Sequence, residues 1–373
     1  MELSLSETVL MIILAAAVVI QLAYYWLLFA RLAFFKPKDI SEEKFPPVSV
    51  VLVARNEYTN LKKNLPRILE QDYEQYEVVV VNHISDDETG ELLEDLGKKY
   101  ARLKVVNIAQ DLNFFKGKKF PLSIGIKSAA HDILLLTDAD CRPESNLWIR
   151  AMARNYKDDK QVVLGYGPYR KEKGLVNLLV RYDTFMVALQ YLSYALAGMP
   201  YMGVGRNLSY TRSLFFKNKG FTAHYRVASG DDDLFISQVA GKRNTSVELS
   251  PESFVYSEPK RTFREWFRQK QRHLTTGKFY KPRIKFLLGL FSLSQMLFFA
   301  LLITLLIISE AYYILAGLFL LRFISQMIVQ KKATDLLKEK QLLIISPLLE
   351  VFYILLMLVL LVKSIFVKHM QWK

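Results

Sequence analysis

Apolar positions divide the chain into contrasting regions. Residues 9–30 are apolar and carry no charge. From about residue 45 to residue 281, short apolar runs alternate with amphipathic stretches. Residues 286–309 are again uncharged and apolar in character, and 311–330 and 342–362 follow as long apolar segments interrupted by Arg322 and Glu350. About 20 apolar residues suffice for a helix to cross roughly 30 Å of hydrocarbon. The pattern therefore predicts one membrane-spanning helix before a soluble middle region and about three after it.

Within the middle region, runs at 48–54, 77–81, 102–106 and 133–136 are rich in apolar residues and bounded by polar ones, as buried parallel strands are. Residues 61–70, 88–100 and 118–128 between them have helical spacing. Such alternation predicts βαβ units, an α/β fold whose ligands sit beyond the carboxyl ends of its strands. Three parts follow: an anchor over 1–35, an α/β domain over 45–281 with an interfacial helix near 261–280, and a membrane region over 286–373.

Charge sharpens this picture. Lys and Arg outnumber Asp and Glu by 50 to 36, for a net charge of +14. The basic residues crowd the flanks of apolar segments, which points to a bilayer surface and away from nucleic acid. Glu2 and Glu7 precede the first span, while Arg31, Lys36 and Lys38 follow it. That order is wrong for a cleaved signal peptide, and it places the middle region in the cytoplasm of an inner- or plasma-membrane protein. Tyr24, Tyr25 and Trp26 are expected to form an interfacial belt. Four lysines within 331–341 predict a second cytoplasmic loop. Lys363, Lys368 and Lys373 then fall outside, against the rule, so the last span is read as tilted or re-entrant. Arg322 and Glu350 would each lie about 12 Å from the cytoplasmic helix ends and pair there, unless each snorkels to an interface. Cys141 is the only cysteine, so no internal disulfide can form. A packed thiol is expected there.

Several motifs carry chemistry. Residues 134–140 read as an apolar strand ending in Asp138-Ala139-Asp140, and two carboxylates at a strand's edge suit a hard divalent cation. The loop Ala54-Arg55-Asn56-Glu57 and the turn Asn82-His83-Ile84-Ser85-Asp86-Asp87 should share that edge. Gly117-Lys118-Lys119 opens a helix, where phosphate is favoured, although a solvated lysine pair is the plain alternative. Gly203-Val204-Gly205-Arg206-Asn207 is followed by Gly230-Asp231-Asp232-Asp233, whose crowded carboxylates can raise one pKa towards that of a working base. Finally, Gln269, Arg272 and His273 sit in a basic, aromatic segment just before the second span.

In combination and order, these motifs resemble the family 2 glycosyltransferases of the GT-A fold, in the membrane-integrated branch with cellulose, hyaluronan and glucosylceramide synthases. The resemblance covers about residues 48–273. It implies that Ala54, Arg55, Glu57, Asn82, His83 and Asp87 hold the donor nucleoside, with Lys118 near its phosphates. It also implies that Asp138 and Asp140 bind ribose or diphosphate and Mg²⁺ or Mn²⁺, Asp140 being the direct ligand. Asp231 and Asp232 match the acidic base motif, with Asp232 as base, and Gln269, Arg272 and His273 match the Gln-x-x-Arg-Trp motif. Asn82-His83 replaces the family's frequent paired aspartates, and His273 replaces its tryptophan, which weakens uridine specificity and a polymerising role respectively.

The implied partners are a nucleotide sugar, with UDP favoured, a lipid or lipid-linked glycan acceptor, and the bilayer. Association with a second copy stays open. A single inverting transfer is expected, with a processive polysaccharide synthase as the alternative. A nucleotidyltransferase would need a glycine-rich loop near the first strand, which is missing; a non-catalytic scaffold would not need the acidic motifs kept here.

Overall fold

The computed structural model describes residues 4–37, 45–110, 117–227 and 229–366. Glu2, Lys38, Lys368 and Lys373 lie outside them. The strands are β1 (Val48–Ala54), β2 (Tyr76–His83), β3 (Leu103–Ile108), β4 (Ile133–Leu136), β5 (Cys141–Pro143), β6 (Val162–Leu164), β7 (Leu208–Thr211), β8 (Thr245–Val247) and β9 (Val255–Ser257). Seven of them form one sheet in the order β3-β2-β1-β4-β7-β6-β8, while β5 and β9 pair separately. Every residue of β1 is buried, as expected of a strand covered on both faces.

Register decides where the loops emerge. β1 is parallel to β2 and β4, with Val51 opposite both Val79 and Leu136. The segments after β1, β2 and β4 therefore leave from the same edge. β7 runs antiparallel, with Leu208 opposite Leu136, so the turn before β7 arrives at that edge too. β6 is antiparallel to β7, with Leu164 opposite Leu208, which brings residues 165–169 there as well. This single edge gathers the motifs that are far apart in sequence.

Helices Tyr58–Leu69, Thr89–Lys99 and Lys119–Ser128 occupy the expected connections. Gly125 lets the last one lie close on the sheet: an added Cβ would stand 2.7 Å from Val51 Cγ1 and 2.9 Å from Val81 Cγ2. Overpacking of this kind costs about 1–3 kcal/mol. Gly125→Ala is therefore expected to lower the melting temperature in detergent, whereas Gly97→Ala, with nothing within 4 Å of the added methyl, should not.

Four helices are long and apolar enough to cross a membrane: Leu5–Ala33, Pro282–Ile308, Tyr312–Leu336 and Leu342–Leu360. The expected arrangement of one before the α/β domain and three after it is present. The first contains a π-helical turn over Tyr24–Phe29. This corrects the expected aromatic belt, because Tyr24 and Tyr25 are buried and only Trp26 is exposed. The two tyrosines pack on Phe291 of the second span with ring centroids 5.0 and 6.3 Å away, and Tyr24 donates to the Leu287 carbonyl. The lysine-rich loop is also shorter than expected, since Lys331 and Lys332 belong to the helix that ends at Leu336.

Arg322 and Glu350 pair inside this bundle and are almost wholly buried. Arg322 also donates to Gln21 Oε1 at 2.7 Å and Gln326 Oε1 at 2.8 Å. Glu350 accepts from Gln295 Nε2 at 2.8 Å and Gln326 Nε2 at 2.9 Å. The network joins all four spans and satisfies charges that would otherwise be costly at that depth.

A helix absent from the sequence reading, Leu175–Leu196, ties the bundle to the sheet. Its Arg181 pairs with Glu339, in the turn between the last two spans. Its Asp183 accepts from Lys270 Nζ and Tyr353 Oη, both at 2.7 Å. The helix Phe263–Leu274, capped by Thr262 and Glu265, is thereby held against the last span.

Candidate functional site

The acidic pair Asp138 and Asp140 follows β4 directly, and both carboxylates are half-buried. Lys118, at the start of the helix Lys119–Ser128, forms an ion pair with Asp138. Burial pulls the Lys118 ammonium down, but Asp138, Asp231 and Asp232 together raise it above its ordinary value. One lysine thus feels both acidic clusters. Burial pushes Asp138 up, yet Lys118 beside it brings its carboxyl below the usual range, with Arg206 and Arg272 helping. Asp140 moves the other way, raised by burial and by the Asp138 charge.

The next residue in sequence, Lys119, is 3% exposed and donates to the carbonyls of His224 at 2.6 Å and Val227 at 2.8 Å. It latches the loop that leads to Asp231. The Gly117-Lys118-Lys119 corner is therefore no solvated lysine pair, since each ammonium is engaged by the protein.

Asp232 is the N-cap of the helix Asp233–Val239. Its Oδ2 accepts from the Gly205 amide at 2.8 Å, and its Oδ1 accepts from the Asp233 amide at 2.7 Å. Burial, followed by the charges of Asp231 and Asp233, pushes its carboxyl up to about 7. Asp233 is turned away towards Tyr280 Oη, 2.9 Å distant.

The loop after β1 closes the opposite wall. Asn56 adopts a left-handed conformation with φ 54° and accepts from the Asp86 amide at 2.7 Å, while Ser85 Oγ accepts from the Asn56 amide at 3.0 Å. The Asp87 oxygens accept from the amides of Tyr58 at 3.2 Å and Thr89 at 3.1 Å, so this carboxylate orders the two loops. Burial raises the Glu57 carboxyl, and Asp140 and Asp138 push it further. Arg55 is half-buried and Ala54 fully buried. Asn82 donates to Asn107 Oδ1 at 3.0 Å, and His83 is 5% exposed.

On the membrane side, Gln269 Nε2 donates to Tyr169 Oη at 3.2 Å. Arg272 reaches far enough to act on Asp138. His273, in the last turn of the same helix, is exposed.

Sequence reasoning passed over Arg206 and Tyr169. The Arg206 guanidinium lies 4.2 Å from the Tyr169 ring centroid, and the Arg206 carbonyl accepts from Thr137 Oγ1 at 2.9 Å. The glycines beside Arg206 were a visible signal. The short antiparallel strand that carries the turn to the site was not.

The donor set fits a hard cation. Asp138, Asp140 and Cys141 offer ligand atoms within 4.8 Å of one another. The two carboxylates are oxygen donors suited to Mg²⁺ or Mn²⁺. Cys141 is buried and its thiol is pushed well above its ordinary pKa by that burial and by Asp140 and Asp138, and its soft sulfur suits Mg²⁺ or Mn²⁺ less than the carboxylates do. Its Sγ donates to Asp140 Oδ1 at 3.3 Å.

Residues 49–219 match the family described as Glycosyl transferase family 2. "Probable glycosyltransferase YdaM" of Bacillus subtilis (strain 168) is 24% identical over 263 residues, covering 68% of this chain and 60% of that protein. "Poly-beta-1,6-N-acetyl-D-glucosamine synthase" of Staphylococcus aureus (strain COL) is 27% identical over 139 residues, covering 37% of this chain and 32% of the synthase. The chain thus spans less than two thirds of the length of either relative. A solved mannosyltransferase from Pyrobaculum calidifontis, in complex with GDP-Man and Mn²⁺, shares the fold with a TM-score of 0.58 and 19% identity, covering 92% of this chain and 97% of that one.

Proposed function

We propose, from the match of residues 49–219 to Glycosyl transferase family 2, that this chain transfers one sugar, with inversion, from a nucleotide donor to a lipid or lipid-linked glycan at the cytoplasmic membrane face. The observation that supports this reading most is the Gly205-Arg206 turn: the Gly205 amide holds Asp232 while the Arg206 carbonyl accepts from Thr137, next to Asp138, so one turn ties the two acidic clusters together.

The donor nucleoside lies between the loops after β1 and β2, where Arg55, Glu57, Asn82 and His83 line the wall and Asp87 fixes the loops. Mg²⁺ or Mn²⁺ held by Asp138 and Asp140 would neutralise the diphosphate leaving group. Arg272 and Lys118 face the same charge from the protein side. Asp232 takes the proton from the acceptor hydroxyl, and its carboxyl near pH 7 suits that work. Gly205 and Asp233 amides hold the carboxylate in place. Gln269 and the exposed His273 lie on the acceptor side, on a helix anchored to the last span through Lys270, Asp183 and Tyr353. That anchoring supports an acceptor presented at the bilayer.

The named activity of the Staphylococcus aureus relative supports a second reading, processive synthesis, over the 139 residues the two share. Product length on a lipid acceptor separates the two: a single added residue supports the first and a ladder supports the second.

The test of the main reading is purified full-length protein incubated with a panel of nucleotide sugars and Mn²⁺, with released nucleoside diphosphate measured. One donor should be turned over, and Asp140→Ala and Asp232→Ala should each reduce release to the background of a no-enzyme control. Undiminished release in both variants would sink the proposal.

A further inference from the structure

Two arginines at the site each have a buried guanidinium nitrogen without an acceptor. Among the described residues, Arg206 Nη1 and Arg272 Nε are buried and have no hydrogen-bond partner. A buried donor left unpaired is destabilising, and more so when it carries charge, unless a ligand completes it. The Arg206 side chain is nevertheless held firmly. Its guanidinium lies over Tyr169, whose hydroxyl accepts from Gln269, and a Cβ at Gly167 would come within 3.2 Å of Arg206 Cβ. Its neighbours are committed elsewhere: the Gly205 amide to Asp232, and Asn207 Nδ2 to the carbonyls of Tyr166 at 2.9 Å and Ser253 at 2.7 Å. Stacking on an aromatic ring leaves the edge of a guanidinium free to form paired bonds with phosphate oxygens.

We infer that Arg206, stacked on Tyr169, is a second anion-binding residue that joins Arg272 in holding the diphosphate of the nucleotide donor. The inference rests on the glycosyltransferase reading and adds to it a residue outside the Gln269–His273 segment. The planar group is essential to this role. Lysine would keep the charge but lose both the stack and the fork.

The test is equilibrium binding to full-length protein in detergent with Mn²⁺. UDP and GDP are titrated calorimetrically, and uridine and guanosine are followed by saturation-transfer NMR. Whichever diphosphate binds the natural protein should bind Arg206→Ala about tenfold or more weakly, the loss expected for a charge-assisted hydrogen bond. Arg206→Lys should fall between the two, and the matching nucleoside should bind all three proteins alike. Equal diphosphate affinity in the natural protein and both variants would overturn the role of Arg206, as would a parallel loss of nucleoside binding. Should Arg206→Ala not fold, Arg206→Lys decides alone: full affinity overturns the inference. Failure of the natural protein to bind either diphosphate would overturn the donor reading itself, and this inference with it.

Discussion

Asp232→Asn is expected to lower kcat by about 10²–10⁴-fold, the range for removal of a general base, while nucleoside diphosphate affinity stays within about threefold. Asparagine preserves the shape and one acceptor oxygen, so a large loss would report the missing proton acceptor. The pH dependence gives an independent check. Burial and the flanking carboxylates raise the Asp232 carboxyl to about 7, and a base works only when deprotonated. For the natural protein, kcat/KM should therefore rise with pH, about tenfold per unit below pH 7, and level off above it. The residual activity of Asp232→Asn should lack that limb. A limb that survives the substitution would assign the titration to another group.

The second large effect lies in the membrane. Removing one partner of a buried ion pair leaves the other uncompensated, at a cost of about 3–5 kcal/mol. Glu350→Leu should reduce folded protein more than Arg322→Leu, because a lone carboxyl can be neutralised by a proton and a lone guanidinium cannot. The double variant removes both charges and leaves Gln21, Gln295 and Gln326 with one another. It should recover folded protein above the level of Glu350→Leu. The monodisperse peak in size-exclusion chromatography measures this, and equal losses in all three variants would contradict a paired role.

Much of this architecture could be read in the chain because its strongest signals are long. Apolar segments of membrane length stand out from their surroundings, β1 and β4 are fully buried and β2 nearly so, and each lies next to a polar loop. The acidic pair after β4 was legible because strand and carboxylates are contiguous. The Arg322–Glu350 pair was legible too, since two charges inside apolar helices have few ways to be satisfied.

The remainder depends on tertiary context. β6, β7 and β8 have only three or four residues each, too short for an alternating pattern to show. The antiparallel placement of β7 between β4 and β6 is what brings Gly205 beside Asp232 and Arg206 beside Thr137. The helix Leu175–Leu196 is buried on most sides, so no amphipathic period marked it. Tyr24 and Tyr25 had the composition of an interfacial belt, but a π-helical turn directs them onto Phe291. Lys118 also pairs with Asp138, and Asp87 accepts two backbone amides, contacts that composition could not reveal.

The most direct measurement is an electron cryomicroscopy structure of Asp232→Asn in a lipid nanodisc with Mn²⁺ and the nucleotide sugar that the natural protein turns over. The diphosphate is expected to lie between Asp138–Asp140 and Arg272, with the sugar directed towards residue 232. Donor density elsewhere, with residue 232 facing away from the anomeric carbon, would contradict it.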